Sequence, residues 1–297
     1  MESITLRDGP LGVVLAPLVG GAIARFWFER NDAAVELLRP TPDLAVARDD
    51  PWAMGCFPLV PWSNRIRDGR FMFGERTVSL LPNRPRDRHT IHGHGFQAAW
   101  SVTDKGPSHA VLVHAHAPDA WPWAYRAVQR VQLTPASLEL ELTLTNEGNT
   151  AMPAGLGWHP YFPRTAGTTL TARVAGLWLT DGETLPTACI TPAPDQDPGR
   201  GLAVDRVALD NAFVGWDGRA VITWPERGTR LHLTAHGPIG GLVVYSPAGQ
   251  SFFCAEPVSH ITDAFNFAAA GRTDTGMLTL GPGESVRASF TLAPELA

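Results

Sequence analysis

Residues 137–145 alternate without a break: Leu138, Leu140, Leu142 and Leu144 fall on one side, Glu139, Glu141 and Thr143 on the other. Successive side chains of a strand point to opposite faces, so this stretch is a strand with one buried and one wet face. Residues 110–117, 229–235, 241–246 and 285–292 also read as strands. Phe26-Trp27-Phe28 and Phe252-Phe253-Cys254 read as more fully buried ones. The 29 glycines and 26 prolines are spread along the chain and punctuate these runs, as turns between strands do. No long segment sustains apolar residues at i, i+3, i+4 and i+7, which argues against alternating βαβ units and hence against a Rossmann or TIM architecture. The expectation is an all-β chain, a large antiparallel sandwich of many strands with very little helix. Residues 188–201, with Pro192, Pro194 and Pro198, read as a loop. No shift of composition marks a domain boundary, and no repeat stands out.

Composition narrows the function. The formal charge is −5 with 24 basic and 29 acidic side chains, so nothing global would hold a polyanion or an acidic membrane surface. Nucleic acid and membrane are therefore not expected partners. Lys105 is the only lysine and sits in a turn-like Asp104-Lys105-Gly106-Pro107, which removes Schiff-base and phosphate-loop lysines from consideration. Cys56, Cys189 and Cys254 are far apart and form no C-x-x-C pair, so reduced thiols are expected. With neither a signal-peptide pattern nor a long apolar run, the expected location is cytoplasmic.

Several short motifs carry polar chemistry. His89, His92 and His94 lie within six positions, and His114 and His116 form an H-x-H pair. A strand presents i and i+2 on one face, so such histidines can chelate a metal, but no carboxylate follows at ligand spacing. The reading is that one or two of the first three contact a ligand, that His114 and His116 are structural, and that no metal is held. Gly93-His-Gly-Phe-Gln-Ala98 matches a dinucleotide fingerprint only formally, because no helix pattern follows it. His159 sits among aromatics and prolines in Gly157-Trp-His-Pro-Tyr-Phe-Pro163, a rigid setting suited to stacking on a sugar ring. Glu256 closes an apolar strand, where desolvation raises a carboxyl toward a useful general base. Asn64 and Arg65 lie beside Trp62, and Asp210 lies in Leu209-Asp-Asn-Ala-Phe213; all three are able to hydrogen-bond hydroxyls.

Taken in order, these segments resemble the aldose 1-epimerase (galactose mutarotase) family. The matching elements are Asn64-Arg65-Ile66 with Gly69 and Phe71, Ile91-His92-Gly93, His159-Pro160-Tyr161-Phe162, Leu209-Asp210 with Phe213, and Glu256-Pro257 followed by Asp263-Ala264-Phe265-Asn266. The resemblance covers essentially the whole chain and implies a single domain over residues 1–297 with a β-supersandwich fold. It implies interconversion of the α and β anomers of a free sugar without a cofactor. Carried over motif by motif, Glu256 is the general base and His159 the general acid, the histidine suiting that role because its ordinary pKa lies near ~6.5. Arg65, His92 and Asp210 bind the sugar, with Asn64 assisting.

The sequence departs from the family pattern at two places. Gly93-His94-Gly95 stands where a second glycine commonly follows, so His94 points either into the cleft or away. Val243 stands where many members carry a sugar-contacting glutamine. Arg67, Arg70, Arg84, Arg86 and Arg88 read as a solvated arginine-rich loop, yet they are also able to recruit a phosphate. The alternatives are thus a hexose-6-phosphate mutarotase and a non-catalytic carbohydrate-binding protein on the same fold.

Overall fold

The computed structural model describes residues 3–42 and 49–295. Two large sheets make up most of the molecule. The eleven-stranded sheet runs Ile4–Asp8, Leu11–Ala16, Ala22–Arg30, Cys56–Leu59, Gly157–Pro163, Phe252–Val258, Gly241–Ser246, Leu209–Val214, Gly176–Thr180 and Pro186–Ile190, with Ala33–Glu36 added on the third strand. The nine-stranded sheet runs Ser101–Lys105, His109–His116, Tyr125–Leu133, Leu138–Asn146, Ser285–Pro294, Thr229–His236, Arg219–Trp224, Thr169–Ala172 and Leu202–Ala203. Among the described residues the one α-helix is the short Ala264–Ala269. No helix among them is long and apolar enough to cross a membrane.

The leucine alternation does what its period requires. Leu138, Leu140, Leu142 and Leu144 are all buried, and Leu140 pairs with Val131 on one side and Phe290 on the other. Their row packs toward the eleven-stranded sheet, where Trp158 meets Phe290 with ring centres 5.8 Å apart. Gln129 is the polar tie between the layers. Buried in the nine-stranded sheet, it donates to the Gly21 carbonyl at 2.7 Å and accepts from Trp158 Nε1 at 3.3 Å. A buried amide is tolerated because both its ends are satisfied.

Period two also sorts the site strand. Trp158 and Phe162 point into the sandwich, where Phe162 packs on Phe253, so His159 and Tyr161 must point to the opposite face. One expectation needs correcting. Residues 188–190 are not loop but the end of the edge strand Pro186–Ile190, with Cys189 paired to Trp178 and Ile190 to Leu177. That strand is mostly exposed, so it lacks the apolar signature by which a strand is read from sequence.

Candidate active site

Two adjacent strands place the central pair. Gly157–Pro163 and Phe252–Val258 run antiparallel, with Gly157 opposite Val258 and Tyr161 opposite Cys254. In that register His159 stands across from Glu256 on the outward face. His159 Nε2 lies 3.2 Å from Glu256 Oε1, and both residues are almost fully buried. His159 Nδ1 and Glu256 Oε2 have no hydrogen-bond partner within the chain. Tyr161 stacks on His159 at 4.5 Å and Phe57 lies 4.8 Å from it, so the imidazole is held between rings.

A second wall comes from the paired segments Arg65–Ile66 and Thr90–Ile91. Asn64 and His92 both adopt left-handed backbone, φ +55° and +65°, a region in which Asn and His are over-represented. The turn locks them together. Asn64 N–H donates to His92 Nδ1 at 3.1 Å, and His92 N–H donates to the Asn64 carbonyl at 3.1 Å. Because Nδ1 accepts, the ring proton sits on Nε2, leaving that N–H as the donor for the pocket. The Asn64 side chain is spent locally, its Oδ1 accepting from Arg65 N–H at 2.8 Å. Arg65 is buried, with Nε 3.2 Å from Asp87 Oδ2 and an Nη 3.9 Å from Asp210 Oδ2. Asp263 braces this wall: its N–H donates to the Arg65 carbonyl at 2.8 Å, and its carboxylate accepts from Arg67 N–H at 2.9 Å.

All six residues singled out from the sequence, Asn64, Arg65, His92, His159, Asp210 and Glu256, line one pocket. Trp52, Arg84, Tyr161 and Tyr245 line it too, without having been assigned a place there. Tyr161 was within reach of the strand period, two residues beyond His159. Tyr245 pairs with Asp210 across the sheet, a nonlocal fact. Trp52 arrives on a short 3₁₀ turn capped by Asp50, and nothing local marks it. Val243 stands directly opposite Glu256, buried and apolar. His94 turns away from the pocket. It stacks on His116 at 4.6 Å and lies 3.4 Å from the Tyr125 hydroxyl, in a cluster that also includes His114. His89 Nδ1 accepts from Asp68 N–H at 2.9 Å, so His89, His92 and His94 do not converge. A roomier cavity of about 610 Å³ lies beside Leu18, Trp100 and the edge strand Ser101–Lys105, away from all six of these residues.

The electrostatics follow from burial. Desolvation, with Asp210 adding to it, pushes the Glu256 carboxyl well above its usual range, and Arg65 opposes this. Desolvation, helped by Arg39 and Arg84, drives His159 down to about 3. His92 is likewise held well below its ordinary value, and burial raises Asp210. The expectation that His159 works through an ordinary pKa near 6.5 therefore does not hold; its environment, shared with Glu256, sets its protonation.

An all-β supersandwich whose open face carries such a pocket is a galactose mutarotase-like fold. The sequence signature of the aldose 1-epimerase family matches residues 2–293, and the chain belongs to that family. It is 33% identical to the uncharacterized protein YphB of Escherichia coli (strain K12), over 99% of both chains. Among solved structures, a candidate aldose 1-epimerase of Escherichia coli K12 superposes with a TM-score of 0.90 at 30% identity, over 100% of this chain and 99% of that one. A galactose mutarotase-like protein of Clostridium acetobutylicum gives 0.88 at 21% identity, over 99% and 95%, a likeness of fold.

Proposed function

We propose that the protein is a cofactor-independent aldose 1-epimerase that interconverts the anomers of a free aldose, within a single domain spanning the chain. The observation that carries this reading is the buried His159–Glu256 contact, each partner keeping one unpartnered polar atom. A binding protein has no need of such a pair, whereas ring opening needs one proton removed and one delivered.

Burial disfavours both a lone carboxylate and a lone imidazolium, so the pair is best counted together, holding one proton near neutrality. Burial favours that proton on Glu256, so opening begins with its transfer across the 3.2 Å contact to His159, which leaves Glu256 a carboxylate. Glu256 takes the proton of the C1 hydroxyl while His159 gives its own to the ring oxygen, and the C1–O5 bond breaks. The aldehyde turns about C1–C2 to present its other face. On closure His159 takes the proton back from O5 and Glu256 returns one to O1. The pair again holds one proton, so nothing is consumed. Arg65 favours the carboxylate form of Glu256, and the His92 Nε2–H supports the oxygen on which charge develops. Well-placed proton transfers are each worth ~10²–10⁴-fold.

Polarimetry of freshly dissolved α-D-glucose and α-D-galactose tests this. The protein should speed relaxation to an unchanged final rotation. Glu256→Gln and His159→Asn should each lower the rate ~10²–10⁴-fold, with the fold intact by circular dichroism. Near-wild-type turnover in either variant contradicts the roles assigned.

One observation favours a second reading, a hexose 6-phosphate as substrate. Arg65 is engaged by Asp87 and Asp210, but Arg84 reaches the same pocket over the Trp52 ring, 5.3 Å from its centre. Arg84 also lines the adjoining groove with Arg86, while Arg88 there is paired with Glu183 and Asp68, so Arg84 is the guanidinium best placed for a phosphate.

A further inference from the structure

We propose that His159, Cys254 and Glu256 form a binding site for a zinc-type divalent cation, which closes the pocket to the sugar. Cys254 and Glu256 are two residues apart on one strand and so share a face, with His159 on the neighbouring strand beside them. One imidazole nitrogen, the thiol sulfur and one carboxylate oxygen all lie within 4.8 Å of one another. A tetrahedral zinc, with bonds of about 2.0–2.3 Å, holds its ligands roughly 3.5 Å apart, so a modest contraction completes the site. Among the described residues no other trio of histidine, cysteine and acidic side chains converges in this way.

Two further facts point to a ligand. His159 and Glu256 each carry a buried polar atom without a partner, Nδ1 and Oε2, so the cluster is not satisfied by the chain alone. The charges also close: a thiolate and a carboxylate neutralise a divalent ion, which removes the desolvation penalty each anion bears alone. Two of the three ligands, His159 and Glu256, line the pocket, so a water entering from that side would complete the shell. The N, S, O donor set selects zinc or cobalt over magnesium and calcium, which prefer oxygen alone. On binding, the Cys254 thiol loses its proton and the His159–Glu256 pair loses the one it holds. Two protons therefore leave per ion, and no oxidant or reductant is involved. With the imidazole lone pair and the carboxylate both engaged, neither transfers a proton. This inhibition rests on the acid–base reading of the site; the binding does not.

The test uses the full chain carrying Cys189→Ser, which removes the exposed thiol. Cobalt(II) is titrated into metal-free protein under anaerobic conditions. The expected result is one ion per chain, a thiolate-to-cobalt charge-transfer band, release of two protons per ion, and displacement by zinc. Cys254→Ala should abolish the band and weaken zinc about tenfold or more, the loss of one of three protein ligands. Cys254→Ser serves the same purpose should the alanine variant not fold. Absence of the band overturns the proposal, as does a band that survives in the Cys254 variants. In polarimetry zinc should raise KM for the sugar, with recovery on chelation. Should the metal-free protein show no mutarotation while the cobalt signature depends on Cys254, the metal site stands and the enzymatic reading fails.

Discussion

At the scale of single residues, one strand position separates a core side chain from a reactive one. Trp158 packs against the opposite sheet while His159, its neighbour, meets Glu256 of the adjacent strand on the pocket face. The resemblance named His159 and Glu256, and the two-residue repeat of a strand explains why His159 faces away from the core that holds Trp158. Proton affinity is another matter: nothing in the residues around His159 announces a pKa of about 3. Arg84, which lines the pocket over the Trp52 ring, tests the choice between a neutral and a phosphorylated sugar. With a hexose 6-phosphate, Arg84→Ala should cost kcat/KM about tenfold more than with the neutral aldose, the value of one charge-assisted contact. Equal losses for both sugars would remove the phosphate reading.

At the scale of elements, the turn bearing His92 depends on close approach of backbone to backbone. Gly93 has φ +75°, and a Cβ there would stand 2.1 Å from the Val60 carbonyl oxygen. The next two N–H groups, of His94 and Gly95, both donate to that same oxygen. Gly93→Ala should therefore lower stability by at least about 1–3 kcal/mol, the cost of a strained backbone, and should raise KM by displacing His92. Chemical denaturation together with steady-state kinetics checks both; an unchanged midpoint would show that the turn yields without cost. The element pattern was largely legible in the sequence where one face is buried, as in Leu138–Asn146. It was not legible in Pro186–Ile190, whose exposed residues carry no periodic signal.

Over the whole molecule, buried histidines make folding sensitive to acid. Burial lowers His94 and His260 to about 4 and His92 well below its usual value. His260 shows why: Nε2 accepts from Ser63 N–H at 3.1 Å while Nδ1 contacts the Ile261 carbonyl at 2.7 Å, so a second ring proton has no acceptor. Unfolded, each ring titrates near 6.5, so below that pH the unfolded chain binds more protons. The stability these three contribute is present above pH 6.5 and is lost as pH falls toward the folded values. Each accounts for about 1.4 kcal/mol per pH unit across that window. Asp210, its carboxyl raised by burial, works in the opposite sense, one group against these three and His114, which burial also lowers. The His159–Glu256 pair drops out of this window: with one proton it matches the unfolded count between the ordinary carboxyl and imidazole values. Thermal unfolding should show Tm falling from pH 7 to pH 5, and a flat or rising Tm would contradict the burial of these rings.

Two things were readable along the chain: the strand-rich architecture, and Asn64, Arg65, His92, His159, Asp210 and Glu256 as candidate site residues. The first is a local property, alternation along a strand; the second came from short motifs whose order along the chain resembles that of the aldose 1-epimerase family. Tertiary structure decided which histidines meet. His92 and His159 lie 5.0 Å apart in the site, while His94, two residues from His92, joins His114 and His116 elsewhere. It also brought in Trp52, Arg84 and Tyr245, and it set Cys254 beside His159 and Glu256. Register between strands distant in sequence, and the loss of water around ionisable groups, arise only when the sheets have closed on each other.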